Sequence, residues 1–357
     1  MTTRRRRPFS RAPAKPADAP GATMPPSESS VGLGIDEPIS SADADFLDRA
    51  RFARSIAAAI ERRPEGGVAY AIVGAQGSGR SSVLRMISAQ LTQSFKVIDF
   101  NPWYFSGSGD LTGHFLRELA SEMSSDNDKR LQSASDHLRS YSMMVEPLAL
   151  LPFVGGIAKA GQQAIGLGAA SAEYSKRFKE KGIYLQRQEL HAALHQFDVR
   201  IVVVVDDIDR LTDPEIAEVA RLVRLVGHLP RISYLLAFER ERVESALGSG
   251  RGPAWGSDYL AKVVQSLHDL PEYQSEALGK VLDQALVTLA PVAGQRGVNW
   301  DRWRTARTEV VLPLLRTPRD AVRLAAAVAV AIDAAGGETA FADVVAAEAR
   351  RLLGPAA

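Results

Sequence analysis

The sequence contains no cysteine. Disulfide bonds, zinc sites built from thiolates and cysteine nucleophiles are therefore excluded, and the chain is compatible with a reducing compartment. The arginine-rich segment Arg4–Arg7 leads into proline, alanine and serine instead of the apolar core of a secretory signal. We therefore expect a cytoplasmic protein, with membrane association as the alternative.

Long apolar runs are also missing. The strongest candidate, Pro147–Ala172, is interrupted by Lys159, and each uncharged half is shorter than the ~20 residues that a membrane-spanning helix needs. Five glycines weaken the same stretch as a helix. We expect a buried or interfacial helical hairpin here; contact with a membrane through residues 147–172 stays open but is not favoured.

Acidic residues are absent from positions 1–16, which carry six basic ones, although the whole chain has a net charge of only +1. Residues 1–40 also contain seven prolines, and this composition buries too little apolar surface to offset the entropy of ordering. We predict a disordered arm. A solvated tail explains its charge, and binding of nucleic acid through it is the alternative.

The rest of the chain has the pattern of a large α/β protein. A helix is predicted between Ser40–Asp45 and Pro64–Gly67, and another over Ser81–Leu91, from apolar residues at helical spacing. Short apolar runs separated by helical segments indicate a parallel sheet covered on both faces. The four predicted strands are Val68–Val73, Phe95–Phe100, Ile201–Val205 and Ile232–Phe238.

A glycine-rich loop follows the first predicted strand. It matches the pattern G-x-x-x-x-G-K-[ST], with arginine in place of lysine. Glycines aim successive amides at phosphate oxygens, and the next helix adds its positive end. The arginine keeps the charge in a bulkier form, so binding is expected to tolerate it better than hydrolysis. The predicted nucleotide-binding residues are Gly74, Ala75, Gln76, Gly77, Ser78, Gly79, Arg80, Ser81 and Ser82. A glycine-rich turn without a ligand is the alternative.

Two acidic residues follow the third predicted strand. Asp206 and Asp207 end a run of five β-branched residues, which is typical of a buried central strand. We predict that Ser81 and Asp206 hold Mg²⁺ beside the loop and that Asp207 orients or deprotonates the attacking water. The alternative is that both acids only cap a turn. Arg210 either reaches phosphate or pairs with one of the nearby acids.

With this loop and acid pair, the sequence resembles the KAP family of P-loop NTPases. Members of that family share a Walker A loop, a V-V-F-I-D-D-L-D-R type of Walker B segment and a long insert between them. The resemblance covers about residues 35–330. Its further motifs are Asp36-Glu-Pro-Ile39 with Asp45-Phe-Leu-Asp-Arg49, Phe100-Asn-Pro-Trp103, Tyr234-Leu-Leu-Ala-Phe-Glu239, Tyr259-Leu-Ala-Lys-Val-Val-Gln265 and Thr317-Pro-Arg-Asp320.

The resemblance implies an additional-strand NTPase, and roles for several more residues. Glu239 is expected to sense the γ-phosphate or to cap the next helix. Pro102 and Trp103 are expected to close the strand and fill the core, with contact to the nucleotide as the alternative. A capping box explains Thr317 and Asp320, which leaves Arg319 as a lid residue that contacts phosphate. The predicted catalytic residues are therefore Asp207, Arg80, Arg319 and Glu239. Many relatives carry two membrane helices in the insert.

The expected fold is α/β: a parallel P-loop NTPase sheet with a long helical insert and a C-terminal helical domain. We divide the chain into the arm 1–40, NTPase segments 41–110 and 198–255 around the insert 111–197, and a helical lid 256–357. The expected function is hydrolysis of ATP with Mg²⁺ to drive a conformational switch, with a protein partner or a second copy, and the resemblance implies a link to bacterial defence. The alternative, suggested by Arg80, is a non-hydrolysing nucleotide switch or assembly scaffold.

Overall fold

The fold is described from a computed structural model that covers residues 38–39, 44–63, 67–91, 95–125, 129–149, 183–196, 199–287, 299–335 and 339–354. The predicted disordered arm lies outside these residues except for Pro38 and Ile39. Most of the predicted hairpin 147–172 also lies outside them. Within the described part of the chain, no helix is long and apolar enough to cross a membrane.

The centre of the molecule is a five-stranded sheet in which every pairing is parallel. Its strands are β1 (Ala69–Val73), β2 (Phe95–Phe100), β3 (Arg200–Val205), β4 (Ile232–Phe238) and β5 (Ser266–Asp269). Their order across the sheet is β2-β3-β4-β1-β5. The additional strand β4 thus separates the strand before the glycine loop from the strand before the acid pair, which confirms the expected class of sheet.

Thirteen α-helices are assigned within the described ranges. They are α1 (Ala50–Glu61), α2 (Arg80–Gln90), α3 (Leu111–Ser124), α4 (Lys129–Ala149), α5 (Ile183–His195), α6 (Asp213–Val226), α7 (Arg240–Leu247), α8 (Pro253–Val263), α9 (Ser275–Val287), α10 (Trp300–Ala306), α11 (Leu312–Leu314), α12 (Pro318–Ala334) and α13 (Phe341–Leu353). Short 3-10 helices occupy Pro102–Phe105 and Ile208–Arg210, and a π-helical turn covers Arg307–Val311.

Apolar clusters cover both faces of the sheet, as predicted. Successive strand residues point to opposite faces, and Val203 and Val204 accordingly belong to different clusters. The cluster around Val203 includes apolar residues of α3 to α8, and the cluster around Val204 includes those of α1 and α2. A third cluster joins helices α9 to α13 and includes the fully buried Leu324. The described insert helices α4 and α5 contribute to the first cluster.

Three local predictions differ from the structure. The first helix begins at Ala50, because the carboxylate of Asp45 accepts the amides of Arg49 and Ala50 at 2.6 and 2.7 Å and holds the preceding residues in a turn. Strand β5 was not predicted, since Ser-Leu-His-Asp is short and largely polar, as suits an edge strand. The prediction that Trp103 fills the core is wrong, because its side chain is 47% exposed, whereas Pro102 is buried.

Candidate functional site

The glycine loop joins the carboxyl end of β1 to the first turn of α2. Gly77 and Gly79 have φ angles of 78° and 95°, a region that residues with a Cβ rarely adopt. The chain can therefore turn sharply between strand and helix, and the N-terminus of the 11-residue helix α2 is directed at the loop. This geometry supplies amide donors and a positive helix end, which suit a phosphate group.

Ser81 and Asp206 meet at the carboxyl edge of the sheet. Ser81 Oγ donates to Asp206 Oδ2 at 2.5 Å, although the two residues are 125 positions apart. Asp206 Oδ1 accepts the amide of Asp207 at 2.8 Å. Burial raises the pKa of the Asp206 carboxyl above its usual range, against the two hydrogen bonds, which lower it. A cation bound at this carboxylate would favour the ionised form that burial disfavours.

The donor atoms at this point fit Mg²⁺. A hydroxyl and a carboxylate are hard oxygen ligands, and Mg²⁺ is commonly held by one or two protein groups together with substrate phosphates and water. Among the residues described, no group of three or more His, Cys, Asp or Glu side chains could hold a metal on its own. The two ligands Ser81 and Asp206 thus suit a cation that arrives with a phosphate.

Asp207 is held by two neighbours. Its backbone is left-handed at φ 59°, and its carboxylate accepts Arg210 Nε at 2.8 Å and Asn101 Nδ2 at 3.1 Å. Of the two alternatives for Arg210, the structure therefore has the ion pair. Asn101 was missed as a site residue, although the Phe100–Trp103 motif was noticed. Its role was hidden because the pairing of β2 with β3 brings it to Asp207.

Arg80 is directed into the protein. Its side chain is 8% exposed, and it donates to the carbonyl of Gly74 at 3.1 Å and to Asp209 Oδ2 at 2.9 Å. The predicted grip on phosphate is thus not the contact that Arg80 makes here. The bulkier guanidinium reaches a carboxylate beyond the loop, and the other oxygen of Asp209 has no hydrogen-bond partner among the described residues.

Helix α12 begins directly against the loop. The capping box of Thr317 and Asp320 is present, with Pro318 in the first turn, which confirms that prediction. The amide of Arg319 approaches the carbonyl of Gly77 at 3.4 Å, and a Cβ at Gly77 would lie 3.0 Å from Arg319 Cβ. The residue predicted to act from the lid is therefore beside the phosphate loop.

Glu239 stands where β4 ends, one residue after the Phe238 carbonyl that accepts the amide of Gly74 at 3.4 Å. It occupies the N-cap position of α7, but its side chain forms no capping hydrogen bond. The prediction that Glu239 caps the next helix thus gains no support from this conformation.

Ser82 Oγ accepts the amide of Ile39 at 3.3 Å, which attaches the N-terminal segment to helix α2.

A cleft extends from the loop between the N-terminal segment and the C-terminal helices. Its polar lining includes Gln76, Arg80, Ser81, Asp207, Arg210 and Arg319. Its apolar lining includes Ile39, Phe46, Leu47, Met86, Val281 and Val322. A lining that combines polar and apolar side chains suits a ligand that has both charged groups and an apolar part.

Comparisons with known proteins agree with the loop and sheet. The KAP family P-loop domain matches residues 49–333. The Phage T7 exclusion protein of Escherichia coli (strain K12) is 26% identical over 260 residues, in a match that covers 67% of this chain and 35% of that protein. The chain thus spans about a third of the length of this relative.

Solved structures with a similar fold share little sequence with the chain. The Aeropyrum pernix ORC2 protein in its ADPNP–ADP complexes is 14% identical, with a TM-score of 0.44, over 85% of this chain and 67% of that one. A RuvB mutant of Thermotoga maritima is 12% identical, with a TM-score of 0.41, over 86% and 70%.

Proposed function

The chain belongs to the KAP family of P-loop NTPases, and from this premise we propose that it binds ATP with Mg²⁺ and hydrolyses it to drive a conformational change. One observation carries the proposal: the 2.5 Å hydrogen bond between Ser81 and Asp206, which joins the start of α2 to the end of β3. A loop for phosphate and a buried carboxylate for a cation are thereby within reach of one triphosphate.

In this proposal each group of site residues has a defined role. The loop amides and the N-terminus of α2 bind phosphate oxygens, and Ser81 and Asp206 hold the cation, which neutralises phosphate charge. The apolar side chains that line the cleft cover the base. Arg319 reaches the terminal phosphate from helix α12, and Glu239 acts as a sensor beside Gly74. Closure of α12 on the loop excludes bulk solvent from the phosphates and leaves room for the attacking water molecule.

Asp207 prepares the attacking water. In the conformation described, Arg210 and Asn101 occupy its carboxylate oxygens. Both donors therefore compete with a water molecule for the lone pairs of this carboxylate. Release of Arg210 toward phosphate charge would free one oxygen of Asp207 for the water molecule.

A non-hydrolysing nucleotide switch or assembly scaffold is the second candidate. The observation that favours it is the pairing of Arg80 with Asp209 and Gly74. Arg80 stands at the lysine position of the loop pattern, and this pairing directs its charge away from the phosphate site. In this case the cleft binds ATP and α12 closes, but no phosphate is released.

The test compares binding and turnover in four proteins. Native chain, Asp207→Asn, Asp206→Asn and Ser81→Ala are titrated with ATP and GTP in the presence of Mg²⁺, and phosphate release is measured. We expect Asp207→Asn to keep its affinity and to lose about 10²-fold or more in turnover. The other two variants should lose Mg²⁺-dependent affinity. Binding without phosphate release in the native chain selects the switch, and the absence of any binding refutes both candidates.

A role in defence against phage is the proposed biological setting. The support is the similarity to the Phage T7 exclusion protein, at 26% identity over a part of that protein. We expect expression of the native chain to reduce T7 plaque counts, and Asp206→Asn to restore them. A protein partner, a second copy of the chain, and nucleic acid bound by the arm remain predictions that this comparison does not test.

A further inference from the structure

The buried guanidinium of Arg49 contacts the phosphate loop. Arg49 is 2% exposed and immediately precedes helix α1. Its guanidinium donates one hydrogen bond to the carbonyl of Ser78 in the loop and another, of 3.0 Å, to the carbonyl of Pro271 after β5. Its Cζ also lies 5.1 Å from the centre of the Tyr273 ring. Three segments distant in sequence therefore meet at one side chain.

The shape of the loop depends on this contact. In a trans peptide the carbonyl and the following amide point in opposite directions, so the Ser78 carbonyl that faces Arg49 directs the Gly79 amide away from it. Gly79 has a φ of 95°, and a Cβ there would lie 3.0 Å from Arg49 Nη1. The guanidinium thus contacts the peptide between Ser78 and Gly79 directly, and a rotation of that peptide would change this hydrogen bond.

The other end of the contact leads to helix α12. Tyr273 Oη donates to the carbonyl of Arg316 at 2.8 Å, one residue before the helix cap at Thr317. The helix returns to the loop where the amide of Arg319 approaches Gly77. The loop is consequently linked to α12 twice, directly at Gly77 and indirectly through Arg49, Tyr273 and Arg316, which we call the Arg49 relay.

We infer that Arg49 and Tyr273 are positioning residues that transmit occupation of the phosphate loop to helix α12. The inference rests on the proposed nucleotide binding. Phosphate that binds the loop amides reorients the peptide planes around Gly79, and the guanidinium bonded to the Ser78 carbonyl must follow. Because the Tyr273 ring lies against that guanidinium and its hydroxyl is bonded to Arg316, the start of α12 follows as well.

Two substitutions interrupt the relay at different points. Tyr273→Phe keeps the ring against Arg49 and removes only the hydroxyl bonded to Arg316. Arg49→Lys keeps the charge but cannot reach two carbonyls and a ring together. Tyr70→Phe is the matched control, because the Tyr70 hydroxyl also donates to a backbone carbonyl, that of Ala59 at 3.2 Å, outside the relay.

The experiment measures affinity and helix protection together. The full chain and the three variants are titrated with a fluorescent ATP analogue and Mg²⁺, and amide hydrogen exchange of residues 318–334 is compared with and without ATP. We expect ATP to slow exchange in the native chain and in Tyr70→Phe. In Tyr273→Phe this slowing should shrink about 3- to 10-fold, as for the loss of one hydrogen bond, with affinity changed less than about twofold. Arg49→Lys should bind about 10-fold more weakly.

Each remaining outcome contradicts a defined statement. If the native chain binds no nucleotide, the proposed function fails and the inference fails with it. If the native chain binds ATP while exchange in α12 does not respond, or if Tyr273→Phe responds like the native chain, the relay alone is refuted. Since Tyr273→Phe removes one oxygen, a folding defect in Arg49→Lys does not weaken the test.

Discussion

The most unusual residue of the loop, Arg80, forms a buried ion pair, and this pair has a measurable consequence. Its side chain and that of Asp209 are 8% and 7% exposed. Arg80→Ala leaves a buried carboxylate without a partner, which costs about 3–5 kcal/mol. Removal of both partners in Arg80→Ala/Asp209→Ala should cost clearly less than the sum of the two single changes. Urea unfolding of the four proteins checks this, and additive losses would show that the two side chains do not stabilise each other.

A second residue-scale prediction concerns pH. Burial, together with Arg187, His195 and His228, lowers the pKa of His191, and its Nε2 has no hydrogen-bond partner among the described residues. As the pH falls, His191 therefore takes up a proton at a higher pH in the unfolded chain than in the folded chain. The contribution of neutral His191 is complete above about pH 6.5 and is lost as the pH falls, by at most about 1.4 kcal/mol per pH unit. We expect His191→Gln to flatten the fall in stability below pH 6.5 in urea titrations; an unchanged slope would assign the fall to other groups.

At the scale of elements, a substitution at Gly77 tests the loop and its contact with helix α12 together, and Gly250 is the control for backbone strain. Gly77 and Gly250 have φ angles of 78° and 76°, so alanine is strained by a similar amount at both. A Cβ at Gly77 would press on Arg319 Cβ at 3.0 Å, whereas Gly250 has nothing within 4 Å. We expect Gly77→Ala to weaken ATP binding about 10-fold more than Gly250→Ala, because α12 must move back. Equal affinities in fluorescence titrations would mean that the contact does not support binding.

The sequence predicts elements well where local patterns determine them. Strands Phe95–Phe100 and Ile232–Phe238 have the predicted bounds, because apolar runs follow directly from burial. The capping box at Thr317 was found for the same reason, since all its partners lie within four residues. Strand β5 lacks such a signal, because its pairing with β1 and not its composition makes it a strand.

The connections within the site could not be predicted in the same way. The loop and the acid pair were found from short motifs, but the partners of their side chains are distant in sequence. Arg80 bonds Asp209 across 129 positions, Asn101 bonds Asp207 across 106, and Arg49 bonds Pro271 across 222. The order of the strands decides these contacts, and the order follows from packing of the whole chain and not from any local pattern.

At the scale of the whole molecule, the apolar clusters decide how independent the parts are. The sequence predicts the insert 111–197 as a segment between the two parts of the NTPase core. Its described helices nevertheless share a cluster with the strands, since Leu138 and Leu194 are buried in the cluster that contains Val203. The C-terminal helices instead form a cluster of their own around Leu324. We therefore propose that the insert is part of the sheet's core and that the C-terminal helices are the more separable unit.

Two leucines on helix α5 test this proposal. Leu194 is fully buried, whereas Leu185 on the same helix is 45% exposed. Leu194→Ala should cost about 2–5 kcal/mol, and Leu185→Ala about 0.5 kcal/mol or less. If the insert shares the core, the larger loss appears as faster hydrogen exchange in β2 and β3, because opening of the insert exposes the face of the sheet that it covers. An insert that unfolds alone would leave exchange in those strands unchanged, and the division at residues 111 and 197 would then be the correct one.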